Sequence, residues 1–116
     1  MIVRPLASNS VRCFVDDLGF RRADAAPLPS TVGAFLEQDV QDSTVWASEL
    51  IGLIDQVAAG TLPAWKGTGN AFALVLSPGV ASIECLWADD ACKVSLAELR
   101  QSVIEWREFI GRPVAR

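Results

Sequence analysis

Short runs of alternating apolar and polar residues open this chain, and two helical stripes separated by a second alternating stretch follow. Val11, Cys13 and Val15 alternate with Arg12 and Phe14, which is a strand pattern. Asp16-Asp17-Leu18-Gly19 reads as a turn, with Phe20 to Ala23 as the returning strand. A proline-rich connection, Ala25 to Ser30, comes next. Thr31 to Leu36 is β-branched and aromatic and predicts a third strand. Residues Glu37 to Asp42 form an acidic approach to the first helix, whose N-cap is Asp42 or Ser43. Trp46, Leu50, Leu53, Ile54 and Val57 recur at helical spacing and predict its buried stripe. Gly60 stops the helix and Pro63 follows.

The second alternating stretch, Asn70 to Ser77, places Phe72, Leu74 and Leu76 on one face of a strand and Ala71, Ala73 and Val75 on the other. The small residues of the second face would let a helix approach closely. Ser77-Pro78-Gly79 is a turn signal, and Val80 to Trp87 returns as the hairpin partner. Ala88 to Ala91 reads as an exposed acidic loop. Ser95-Leu96-Ala97-Glu98 is a capping box, in which serine and glutamate satisfy each other's backbone donors. Leu96, Leu99, Val103, Trp106 and Ile110 form the apolar seam of the helix it opens, and Gly111 and Pro113 end it. Together these elements predict one α+β domain over residues 1–116. Its mainly antiparallel sheet has about five strands, with two helices packed on one face, and residues 1–10 read as a leader.

At 116 residues and 51% hydrophobic content the chain can bury a core without disulfide or metal staples. The uncharged run from Gly67 to Ile83 is broken by turn residues and too short to span a membrane. No basic region followed by an apolar block marks a secretory signal at the start. Three cysteines, Cys13, Cys85 and Cys92, have no Cys-x-x-Cys spacing and suit a reducing cytoplasm. A net charge of −4 argues against nucleic-acid binding, which needs a basic footprint; it is compatible with a basic partner, but mild acidity more often serves solubility alone.

Candidate chemistry is sparse. The chain has no histidine and no tyrosine, so the commonest general base and zinc ligand are missing. Lysine occurs only at Lys66 and Lys93. Gly67-Thr68-Gly69 lacks the frame of a phosphate loop, leads into a strand and reads as a tight turn. The carboxylate pairs Asp16-Asp17 and Asp89-Asp90 read as solvated loop charge, and no metal-binding frame surrounds them. No cofactor and no enzymatic activity are expected. Of the four tryptophans, Trp46 and Trp106 lie on helix seams and read as core. Trp65 and Trp87 also read as core first, with partial exposure of one of them toward a partner as the alternative, because tryptophan is enriched at binding hot spots.

Several segments resemble the YacL-like family, which includes CdiI-type immunity proteins of contact-dependent growth inhibition systems. The resemblance runs from Thr31 to Ile110 and rests on packing residues and turns. It is carried by Val32-Gly33-Ala34-Phe35 before Glu37-Gln38-Asp39-Val40, by Leu53 to Ala58, by Trp65-Lys66-x-x-Gly69-Asn70-Ala71-Phe72-x-Leu74, and by Leu96 through Ile110. It implies a cytoplasmic protein that binds and neutralises the toxin domain of such a system. Such toxins are often nucleases with basic surfaces, which an acidic inhibitor complements by occluding the active site or substrate groove. The family transfers no specific site residue. By charge and position, Glu37, Asp39 and Asp42 before the first helix, and Trp87, Asp89 and Asp90 after the hairpin, are the candidate toxin-binding residues. Solvated loop charge is the other reading of the carboxylates, and a plain helix cap that of Asp42. The alternative is a self-associating housekeeping protein, dimerising through the Trp87 region or the Val11 to Val15 edge.

Overall fold

A computed structural model describes residues 11–112. The expected leader at 1–10 and the helix-ending Pro113 lie outside the described residues. The chain forms two antiparallel sheets and three α-helices, an α+β architecture. Strands β1 (Arg12–Val15) and β2 (Arg21–Asp24) make a separate hairpin. Strands β3 (Trp65–Thr68), β4 (Phe72–Ser77), β5 (Val80–Cys85) and β6 (Ala91–Ser95) follow one another as a four-stranded meander. The single five-stranded sheet expected from the sequence is therefore divided in two.

Residues 31–36 are not the expected strand. They belong to helix α1 (Ser30–Phe35), which runs directly into a π-helical turn over Leu36–Val40. Val32, Phe35, Leu36 and Val40 are all buried, and their spacing follows a helix, so burial of that stripe outweighs the local strand preference of Thr31 and Val32. Gly33 permits this packing: a Cβ there would lie 2.5 Å from the carbonyl oxygen of Ala23 in β2. The π-helical turn is closed by a bond from the Gln41 amide to the Leu36 carbonyl, 2.8 Å. Gln41 leaves it at φ 56, a region that costs a residue with a side chain about 1–3 kcal/mol unless its surroundings enforce it. The enforcing group is Trp106, whose buried indole N–H donates to the Gln41 carbonyl at 2.7 Å.

Helix α2 (Thr44–Ala58) is capped by Ser43, whose hydroxyl accepts from the Trp46 amide at 3.0 Å. Helix α3 (Leu96–Ile110) carries the expected capping box between Ser95 and Glu98, and all five residues of its seam are buried. Helices α2 and α3 pack on each other. The three helices lie on one face of the meander, the face of Phe72, Leu74 and Leu76, joined by Ala81, Ile83 and Val94. The face of small residues, where a helix was expected to approach, is instead the open one. Burying the large side chains removes more apolar area from water, at about 25 cal/mol per Å², and that term selects the face.

Two further strands differ from expectation. Trp65–Thr68, read partly as a tight turn, pairs with β4, with Gly67 opposite Leu74. The turn begins only at Gly69, whose amide donates to the Phe72 carbonyl at 2.9 Å. β5 ends at Cys85 and not at Trp87, and Ala91–Ser95 pairs with it and buries Val94, so the acidic loop is shifted to Leu86–Asp90.

Candidate binding face

The π-helical turn directs carboxylates toward both sheets. Glu37 accepts from the Ala23 amide at 2.6 Å and from the Arg22 guanidinium at 3.1 Å, which fixes the β1–β2 hairpin to the helical layer. Asp39 accepts from the amides of Ala71 and Phe72, at 2.8 and 3.1 Å, and so satisfies two donors at the start of β4. Asp42 is exposed and pairs with Arg21 at 3.4 Å. The acidic approach segment was expected to present three carboxylates to a partner. In the structure Glu37 and Asp39 are half-buried and bond to backbone amides of the fold, and Asp42 pairs with its own hairpin.

The loop after β5 differs. Trp87 is 79% exposed beside exposed Leu86 and Asp89. Backbone bonds from Cys85 to Asp90, 2.7 Å, and from Leu86 to Ala71, 2.8 Å, close the base of the loop. The Trp87 indole N–H donates to the Asn70 carbonyl at 3.2 Å, so the ring is tethered while its faces remain in water. Asp90 accepts from the Thr31 hydroxyl at 2.7 Å, which ties the loop to α1. Asp89 has no hydrogen-bond or ion-pair partner among the described residues.

Asn70 also lines a cavity of about 350 Å³ next to this loop, together with Phe35, Asp39, Trp46, Trp65, Gly67, Thr68, Gly69, Phe72 and Leu74. Trp46 and Trp65 are half-buried and in contact, with ring centroids 6.1 Å apart and planes at 45°. The two glycines are required by what packs on them. A Cβ on Gly67 would sit 2.7 Å from the Trp65 ring, and one on Gly69 would sit 2.5 Å from an Asp39 carboxylate oxygen. The Gly-Thr-Gly spacing thus makes room for an indole and a carboxylate. Trp46, read from the sequence as core, proves to be part of the cavity wall, a role its place on the helical stripe did not reveal.

Asp39, Trp87, Asp89 and Asp90 therefore fall on or beside one surface, whereas Glu37 and Asp42 line a different depression with Phe20, Arg21 and Trp106. Among the described residues no cluster of three or more histidine, cysteine or acidic side chains is placed to hold a metal ion. The three cysteines are free and half-buried. Burial pushes the Cys13 thiol up to about 11, with the nearby Glu105 charge adding to the shift and Arg112 opposing it, so the thiol stays protonated at neutral pH. Among the described residues no helix is long and apolar enough to cross a membrane. No family model matches this chain, and no curated protein or solved structure matches it either.

Proposed function

We propose that this protein is a cytoplasmic immunity protein of the CdiI type, which binds the toxin domain of a contact-dependent growth inhibition system and blocks its active site without catalysing a reaction. The observation that carries the reading is Trp87: a tethered tryptophan held 79% exposed, with Leu86 and Asp89 beside it. An exposed aromatic anchor of this kind loses little conformational freedom on binding, and tryptophan is the residue most often found at interface hot spots. The net charge of −4 favours a partner with a basic surface, such as a nuclease, by speeding encounter and disfavouring wrong partners. The resemblance to the YacL-like family, over Thr31 to Ile110, supplies the biological setting.

The test is co-expression with the C-terminal domain of the polypeptide encoded immediately upstream. Growth should be rescued and a 1:1 complex should co-purify. Trp87→Ala should weaken that complex by about 30-fold or more. Toxicity without rescue or complex would sink the reading. A second reading, self-association, draws on the hairpin tip, where Leu18 is 81% and Phe20 62% exposed. A dimer in solution that dissociates on Phe20→Ser, with no toxin complex, would establish it.

A further inference from the structure

We propose that the cavity lined by Trp46, Trp65 and Asp39 is a receptor for one arginine side chain of the protein partner. Its walls include four aromatic residues, Phe35, Trp46, Trp65 and Phe72, and among the described residues its only charged lining group is the Asp39 carboxylate. A volume of about 350 Å³ admits a guanidinium and its stem. Each Asp39 oxygen accepts one backbone N–H, at 2.8 and 3.1 Å, and a carboxylate oxygen can accept further bonds. Those two bonds also hold the carboxylate in place before any ligand arrives. Among the described residues Asp39 pairs with no lysine or arginine.

A planar cation that can stack on an indole face while donating to a carboxylate matches this set of groups. Lysine matches it less well, because its ammonium is more strongly hydrated and cannot stack. The chain's own cations near this region are turned elsewhere. Lys66 follows Trp65 on β3 and so points to the opposite, open face of the meander, and Lys93 lies on that same open face through its pairing with Ser82. The cavity is contiguous with the Trp87 loop through Asn70, so an arginine seated there and a surface covering Trp87 can belong to one partner. The identity of that partner rests on the immunity reading above, but the recognition chemistry does not.

The experiment uses the full chain and small probes. Tryptophan fluorescence is titrated with N-acetyl-arginine methylamide and with the citrulline analogue, which keeps the shape and removes the charge. The arginine probe should give a saturable change that weakens with added salt, and citrulline should bind at least about tenfold more weakly. Asp39→Asn retains one acceptor oxygen for the backbone, and Trp46→Leu leaves Asp39 in place; each should weaken the arginine probe by about tenfold while circular dichroism is unchanged. Equal responses to both probes, or an arginine response that survives both folded variants, would overturn the proposal. A positive result alongside failed toxin rescue would retain the arginine site and discard the immunity reading.

Discussion

The two acidic sides of this molecule differ in what their carboxylates face. On the hairpin side, Asp16, Asp24, Glu37 and Asp42 each meet an arginine of β1 or β2. On the Trp87 side, Asp39, Asp89 and Asp90 meet no arginine or lysine among the described residues, and bond instead to backbone, to a hydroxyl or to nothing. Exposed ion pairs contribute little stability, about 0–1 kcal/mol each, so the main effect of the hairpin arginines is to cancel charge locally. The carboxylates beside the exposed tryptophan therefore have no cation next to them among the described residues. Charge count alone, from the sequence, does not distinguish the two sides.

The largest effect expected from breaking this comparison is at the tryptophans. Trp106→Ala should cost about 4 kcal/mol in urea unfolding, because it opens a cavity under the hairpin side and frees the Gln41 carbonyl. Trp87→Ala should stay within about 0.5 kcal/mol of the parent and change only partner binding. Next is Asp39→Ala, which leaves the Ala71 and Phe72 amides without their acceptor and should cost about 2 kcal/mol, whereas Asp89→Lys should leave the unfolding midpoint in place. Glu37→Ala should cost about 1–2 kcal/mol through the Ala23 amide, the part-buried member of its two bonds.

The smallest expected effect is a pH dependence. Bonds from the Phe20 amide first, then from Leu18 and Arg22, hold the Asp16 carboxyl below its ordinary value of 3.8. A depressed folded pKa contributes stability above the unfolded value and loses it as pH falls toward the folded one. The melting temperatures of the parent and Asp16→Asn should therefore differ at neutral pH and converge in acid below 3.8. A gap that persists in acid would show that the turn does not depend on the ionised carboxylate.

Those contrasts bear on what the sequence made legible. The α3 seam and capping box were readable because every signal within Ser95 to Ile110 agreed. The β4–β5 hairpin was readable from its alternation and from Pro78-Gly79. Residues 31–36 were not, because Thr31 and Val32 favour a strand while Val32, Phe35, Leu36 and Val40 keep helical spacing, and tertiary burial decided between them. β6 was hidden because Cys92, Lys93 and Val94 are too few to show a period. At the site, the sequence favours the core for Trp87, and its 79% exposure runs against that reading because the residue falls in the loop after β5 and not on the paired strand. The roles of Glu37 and Asp39 depend on amides of Ala23, Ala71 and Phe72, and no local pattern encodes such distant backbone partners.

The placement of Lys66 and Lys93 has a practical consequence for proteolysis. Between Arg22 and Arg100 they are the only residues after which trypsin cleaves. Both are central residues of paired strands, β3 and β6, at the two edges of the meander. A protease must draw out an extended stretch of chain to cut, so cleavage at either lysine requires its strand to detach from β4 or β5 first. The rate of nicking at each position then times the opening of one sheet edge, and a bound partner that protects Lys66 more than Lys93 would report its footprint without any label.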